Sequence, residues 1–241
     1  APNPRLAPRI HDVSHEVVDQ DMSLFQLTVS ARVESILGMP IVVEAHLRHM
    51  FDAEQTFIMR DDGQHGDEVA GDQIYTTVIA GFALAPGEMF RYYVTANEDT
   101  AFGRMPRFLS ADKSPQYFGD IRAEVAGLSK LPVFHRFIAD PAAGDTSIGT
   151  RVSVFYEGKF YDNVFMRIRG ASARAYSKKS YKIEFNDGYS FRFREDLPRV
   201  DEFNLNTTFT DKSYVRQTLA AEVYAMAGVA GPIIFPMRVE R

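Results

Sequence analysis

Six cationic side chains, Arg167, Arg169, Arg174, Lys178, Lys179 and Lys182, crowd one short stretch of a chain whose formal net charge is −5. Between them lies Gly170-Ala171-Ser172-Ala173, with so little side-chain bulk that its backbone N–H groups could approach an anion closely. Positive charge beside an open backbone is the chemistry of phosphate binding. The same residues also describe a solvated basic hairpin. On the N-terminal side Val164, Met166 and Ile168 alternate with Phe165, Arg167 and Arg169, the period of a half-buried strand. On the other side Tyr181, Ile183 and Phe185 alternate with Ser180, Lys182 and Glu184, which predicts a return strand.

A second cluster is acidic. Residues 61–72, Asp-Asp-Gly-Gln-His-Gly-Asp-Glu-Val-Ala-Gly-Asp, combine four aspartates with three glycines. Hard cations such as calcium take several oxygen ligands on a turning loop, which makes Asp62, Asp67 and Asp72 candidate ligands. The spacing is not that of an EF-hand, and the aspartates could instead bond their own backbone. The chain has no cysteine, which excludes disulfides, thiolate metal sites and cysteine nucleophiles. Its six histidines are scattered, and His46 and His49, three apart on a strand, point to opposite faces. No Ser-His-Asp set or zinc spacing is present, so hydrolase chemistry gains no support.

The elements that must position these clusters follow from composition and period. With 241 residues, 45% hydrophobic and 24% charged, the chain has globular composition and room for two domains. The acidic balance argues against general nucleic-acid binding, and no run of 18 apolar residues offers a transmembrane helix. Ala1-Pro2-Asn3-Pro4 is not a signal peptide, although it fits the end left after one is removed. Residues 1–9 carry three prolines and suggest a leader or extended edge segment. Strands are expected around Phe25–Val33, Val43–Leu47, Thr56–Met59, Ile74–Ile79 and Phe90–Ala96, with another beginning at Gly103. With no helical stretch before residue 120, they predict an antiparallel β-sandwich of immunoglobulin or fibronectin type III shape over residues 1–120.

Residues 109–150 carry linker-like breaks, and a second domain is expected over 125–241. Leu131–Ile138 and a strand from Val152 lead into the basic hairpin. Asn186-Asp187-Gly188 predicts a hairpin turn into a strand through Tyr189, Phe191 and Phe193. A helix is expected from Lys212 to Ala227, with Asp211 capping its start and Gly228 following its last turn. Val215, Leu219, Val223 and Met226 form a stripe at helical spacing that predicts a core-facing side. Ile233, Phe235, Met237 and Val239 alternate as a last strand.

Arg167-Ile168-Arg169-Gly170-Ala171-Ser172, Lys178-Lys179-Ser180-Tyr181-Lys182-Ile183, Leu205-Asn206, and Asp211-Lys212-Ser213-Tyr214-Val215-Arg216 together resemble the CotH kinases, atypical protein kinases named for a spore-coat protein. The resemblance covers roughly residues 130–241 and includes the helix running into Ala227-Gly228-Val229. The acidic loop is similar to β-sandwich modules found before such domains in bacterial secreted proteins. What the resemblance implies is a mainly β protein: a sandwich, then an α+β kinase-like N-terminal lobe of antiparallel sheet plus one helix, with the C-terminal lobe absent. It implies ATP and Mg for the complete domain. Arg169, Gly170 and Ser172 would neighbour the phosphates. Lys182, and less surely Lys179, would be the phosphate-touching lysine, and Glu222 its helix partner. Arg216 would hold the helix against the lobe through Asp211.

Two departures accompany the resemblance. The hairpin lacks the Gly-Lys-Ser/Thr of a Walker A loop. The family's catalytic and metal-binding aspartates lie C-terminal to the last strand, and Asp187, Asp196 and Asp201 do not replace them. The expectation is the N-terminal portion of a secreted or cell-surface bacterial kinase acting on Ser/Thr of a protein substrate, inactive without its other lobe. The alternative is an extracellular structural or adhesive protein whose domains assemble with other copies or partners, since uncovered sheet edges and apolar stripes pair readily.

Overall fold

A computed structural model describes residues 7–20, 24–122 and 130–240, apart from the side chains of Ser172 and Ala173. The chain is mainly β and antiparallel, with few helical residues, and divides into two compact units, Ala1–Val125 and Ala126–Arg241.

In the first unit the apolar alternation of β2 (Leu24–Glu34) buries Phe25, Leu27, Val29, Ala31 and Val33 and leaves the residues between them half-exposed. β1 (Arg9–Asp19) and β5 (Ile74–Ala83) flank it in a three-stranded sheet. A second sheet has the order β4 (Gln55–Met59), β3 (Ile41–His49), β6 (Met89–Glu98), β7 (Ala101–Met105), with β8 (Phe118–Ile121) also pairing β6. One core joins the two sheets, with β2 meeting Val43, Ala45 and Leu47 of β3 and Phe90, Tyr92, Val94 and Ala96 of β6.

β1 was not expected from the sequence, because its apolar phase breaks. The register shifts between His11 and Ser14, and Asp12 sits at φ 50°, so Ile10 and Val13 both reach the core three residues apart. The linker-like stretch Ser110–Pro115 belongs to the first unit, where the N–H of Ser114 bonds the Ser110 carbonyl at 3.2 Å.

The loop after β2 is organised by one buried carboxylate. Glu98 is fully buried and accepts from Ser35 Oγ and from the backbone N–H groups of Ile36, Leu37 and Met39 at 3.0, 2.9 and 3.0 Å. Ile36, Leu37 and Met39 therefore point outward while their backbone is clamped inward.

The second unit is one six-stranded sheet of order β13 (Glu202–Leu205), β12 (Ser180–Glu184), β11 (Lys159–Arg169), β10 (Thr150–Tyr156), β9 (Val133–Phe137), β14 (Arg238–Glu240). All neighbours are antiparallel except β14, which runs parallel to β9. Its core gathers Phe134, Val152, Val154, Tyr156, Val164, Met166, Ile168, Tyr181, Ile183, Phe185 and Phe191. A one-turn helix α1 (Pro141–Gly144), capped by Asp140, precedes β10, and α2 (Arg216–Met226) precedes β14.

Four expectations are corrected here. The Asn186-Asp187-Gly188 turn forms, with the N–H of Tyr189 on the Asn186 carbonyl at 2.9 Å, but no strand returns through Tyr189–Phe193. Phe191 alternates because it is driven into the core beside Tyr156, Phe185 and Phe203; it makes a single bridge to Val200, and β13 takes the place beside β12. The helix begins at Arg216 rather than Lys212, after Tyr214 at φ 61°. Its stripe is not core: Leu219, Val223 and Met226 are 54, 63 and 88% exposed, because among the described residues no element of the unit covers that face. The last strand is confined to Arg238–Glu240, since Pro232 and Pro236 lack the N–H that a ladder needs.

Ionised Glu98 sets a pH dependence. Burial pushes its carboxyl up, and the four donated bonds together outweigh that and hold it at about 2, below its ordinary 4.5. A depressed carboxylate contributes stability that is full above the unfolded value and is lost as pH falls toward the folded one. Denaturant melts of wild type and Glu98→Gln are therefore expected to differ most above pH 4.5, with the gap closing between pH 4.5 and about 2. A gap independent of pH would contradict the clamp.

Candidate functional site

Pairing of β11 with β12 places Arg167 opposite Lys182, Ile168 opposite Tyr181 and Arg169 opposite Ser180. Side chains alternate across a sheet. Met166, Ile168, Tyr181 and Ile183 therefore share the core face with Phe203 and Leu205 of β13, and Lys182 projects from the other face. Beyond Arg169 the chain turns at Gly170, whose φ of 88° suits glycine, and enters a short 3₁₀ turn, Ser172–Ala175. The Ser172 side chain lies outside the described atoms.

The segment between β13 and α2 closes onto this connection. Arg169 Nη1 donates to Asn206 Oδ1 at 3.1 Å, and the N–H of Thr207 donates to Ser180 Oγ at 3.0 Å. Tyr176 stacks on Phe209, and Lys178 Nζ lies 5.9 Å from the Tyr214 ring centre. Lys179 Nζ donates to the Arg174 carbonyl at 2.6 Å. Asp211 is buried: its Oδ1 accepts from the N–H and Oγ of Ser213, and its Oδ2 accepts from the N–H of Arg216 at 3.0 Å. It thereby holds the first helical N–H from five residues upstream, and Arg216 Nε lies 3.4 Å from its Oδ1. The Ser213 hydroxyl first, with the backbone donors and the Arg216 charge, outweighs burial and holds the Asp211 carboxyl below its ordinary value.

These contacts border a groove of about 1160 Å³ lying wholly within the second unit. Tyr181, Phe191, Phe203 and Leu205 line its apolar part, Arg169, Lys178 and Lys179 one charged rim, and Gln217 and Thr218 of α2 another wall. Arg136 and Asp145 also face it, neither of which the sequence singled out. Asp145 Oδ1 accepts the Tyr181 hydroxyl at 2.6 Å. Burial first and then Asp145 push that phenol up, with Arg136 opposing.

Of the residues expected to meet nucleotide, Arg169 and Lys179 line the groove, and Gly170 stands exposed beside it in the chain. Lys182 and Glu222 are not brought together. Lys182 Nζ sits 2.7 Å from Glu202 and 3.0 Å from Glu184, its cross-strand and same-strand neighbours on the outer face. Those two carboxylates, Glu202 foremost, raise its pKa. Glu222 stands exposed on α2 with no partner among the described residues.

In the first unit the acidic loop brings Asp61, Asp67 and Asp72 within 4.8 Å of one another, a set that could bind a metal; Asp61 stands where Asp62 was expected. Asp62 turns instead to the N–H of Gln64 and the ring of His65. Asp61 accepts the N–H groups of Gly71, Asp72 and Gln73 at 2.5, 3.2 and 3.0 Å, and buried Asp67 accepts that of Gly63 at 2.6 Å. Gly66 is required here, since a Cβ would meet Val78 Cγ2 at 2.3 Å.

Among protein families, the model described as CotH kinase protein matches residues 166–240, a stretch that begins in β11 and holds the groove rim and α2. A search of curated proteins finds no match.

Because Asp61 closes the loop through three backbone donors, Asp61→Ala is expected to cost about 2 kcal/mol. A denaturant melt run in chelator isolates those bonds. An unchanged midpoint would show that the loop is held by other means.

Proposed function

We propose that the second unit is the nucleotide-binding lobe of a CotH-like kinase domain, in the N-terminal part of a bacterial secreted or cell-surface kinase acting on protein Ser/Thr. The observation that supports this most is the groove: an aromatic floor rimmed by Arg169, Lys178 and Lys179, inside the stretch similar to that family. Phosphoryl transfer depends on positioning and on charge placed around the phosphates. The loop cations suit the phosphates, and Tyr181 and Phe203 suit a flat base. In this reading the lysine contribution comes from Lys179 rather than Lys182. The first unit serves as an immunoglobulin or fibronectin III-like module, a reading favoured by its strand order of β1-β2-β5 on β4-β3-β6-β7 around one core.

For magnesium the fit is poor. Glu184 and Glu202 are committed to Lys182, Asp196 pairs with Arg194, Asp201 accepts from Ser190, and Asp145, which faces the groove, stands as a single carboxylate engaged by the Tyr181 hydroxyl. Among the described residues, the close acidic set suited to a cation is that of the first unit. On this reading the lobe binds nucleotide, and its described carboxylates do not by themselves supply the metal clamp that transfer needs. Calorimetric titration of ATP into the full chain is expected to show binding without ADP formation. Arg169→Ala and Lys179→Ala are each expected to weaken it about tenfold, the scale of one charge-assisted contact, and Lys182→Ala by less than about twofold. An absence of ATP binding would sink the reading, and a loss confined to Lys182→Ala would return the role to that lysine.

The exposed Leu219, Val223 and Met226 favour a second reading, a surface protein that self-assembles through α2. Sedimentation would then show concentration-dependent dimers that Leu219→Ser with Val223→Ser abolishes. A monomer at every concentration would remove it.

A further inference from the structure

Among the described residues Arg136 has no carboxylate partner. It lies on β9 with Phe134 toward the core face, opposite Val154, and its side chain reaches along that face to Met166, Tyr181 and the groove. The guanidinium carbon stands 4.4 Å from the Tyr181 ring centre, Nη1 reaches the Met166 Sδ at 3.5 Å, and the group also acts on the Tyr181 hydroxyl, where it opposes the rise of the phenol's pKa. Its Nε is buried and has no hydrogen-bond partner among the described residues. No described carboxylate pairs with it; Asp145, which faces the same groove, is engaged by the Tyr181 hydroxyl.

A half-buried guanidinium loses hydration that a thioether and a ring face restore only in part. Its fork of donors matches the oxygens of a phosphate. Arg169 and Lys179 give the same groove further positive charge, in a chain whose net charge is negative. We infer that Arg136 is a phosphate-anchoring residue of this groove, receiving a phosphate group of a nucleotide in addition to the loop cations. The inference rests on the nucleotide-binding reading and adds to it a contact from outside the matched residues 166–240.

The test uses the full chain, titrated with ATP and separately with inorganic pyrophosphate, for wild type, Arg136→Lys and Arg136→Met. Arg136→Met keeps the side-chain volume should a smaller residue collapse the site. The expected result is at least tenfold weaker ATP binding by Arg136→Met, partial recovery in Arg136→Lys, and an unliganded melting temperature unchanged or raised. ATP binding equal to wild type in Arg136→Met would overturn the inference and leave the nucleotide reading standing. A large fall in unliganded melting temperature, in both variants alike, would make Arg136 a structural residue and overturn it too. Wild type that binds neither ATP nor pyrophosphate would overturn both.

Discussion

The register between β11 and β12 decides which side chains the second unit turns toward its groove. With Ile168 opposite Tyr181, the period of two sends Tyr181 into the groove and Lys182 to the outer face. A slip of one residue would exchange them, exposing Tyr181 and Ile183 and burying Lys182 and Glu184, so the buried face fixes the pairing strongly. The strand therefore cannot offer both Tyr181 and Lys182 to one ligand. Positive charge from this hairpin reaches the groove side only at Arg169 and the connection beyond it, where the chain leaves the sheet and alternation no longer applies. Closure of Asn206 and Thr207 onto Arg169 and Ser180 then holds that connection beside the floor.

A buried charge and a half-buried one show two ways in which the fold meets a charge. Glu98 is taken fully out of water and receives four donors, enough to hold it ionised and to shape the loop that surrounds it. Arg136 is left with a ring face, a thioether and an unbonded Nε. If Arg136 were there for stability alone, an apolar residue of its size would fill the site at lower cost. The contrast gives a physical reason to look for its partner in the groove.

Strands whose faces are cleanly buried or wet were legible in the sequence, as Phe25–Val33 and the basic hairpin show. β1 was not, because a bulge at Asp12 shifts the phase of its apolar residues. The Phe191 region misled in the opposite sense: aromatic alternation normally marks pairing, but here it marks a loop folded into the core. In the acidic loop, composition pointed to the cluster, yet only the turn geometry decides that Asp61 rather than Asp62 joins it. Arg136 carried no signal at all. It sits within an apolar run, and its importance comes from strands far apart in sequence that meet beneath it.

α2 poses the remaining constraint. Both of its ends are secured: Asp211 takes the Arg216 N–H, and at the C-terminus Gly228, at φ 71°, bonds the Ala225 carbonyl while Val229 bonds that of Tyr224. An eleven-residue helix is marginal on its own terms, since most helical stability in proteins comes from packing an apolar face. Here each end holds backbone bonds while, among the described residues, the apolar face has no cover. A kinase lobe and an assembling surface protein both ask for such a cover, and the helix alone does not choose between them. The groove is the observation on which the proposed choice rests: a half-buried guanidinium, a basic rim and an aromatic floor in one cleft are features that a phosphate-bearing ligand would use and that an apolar assembly stripe does not require.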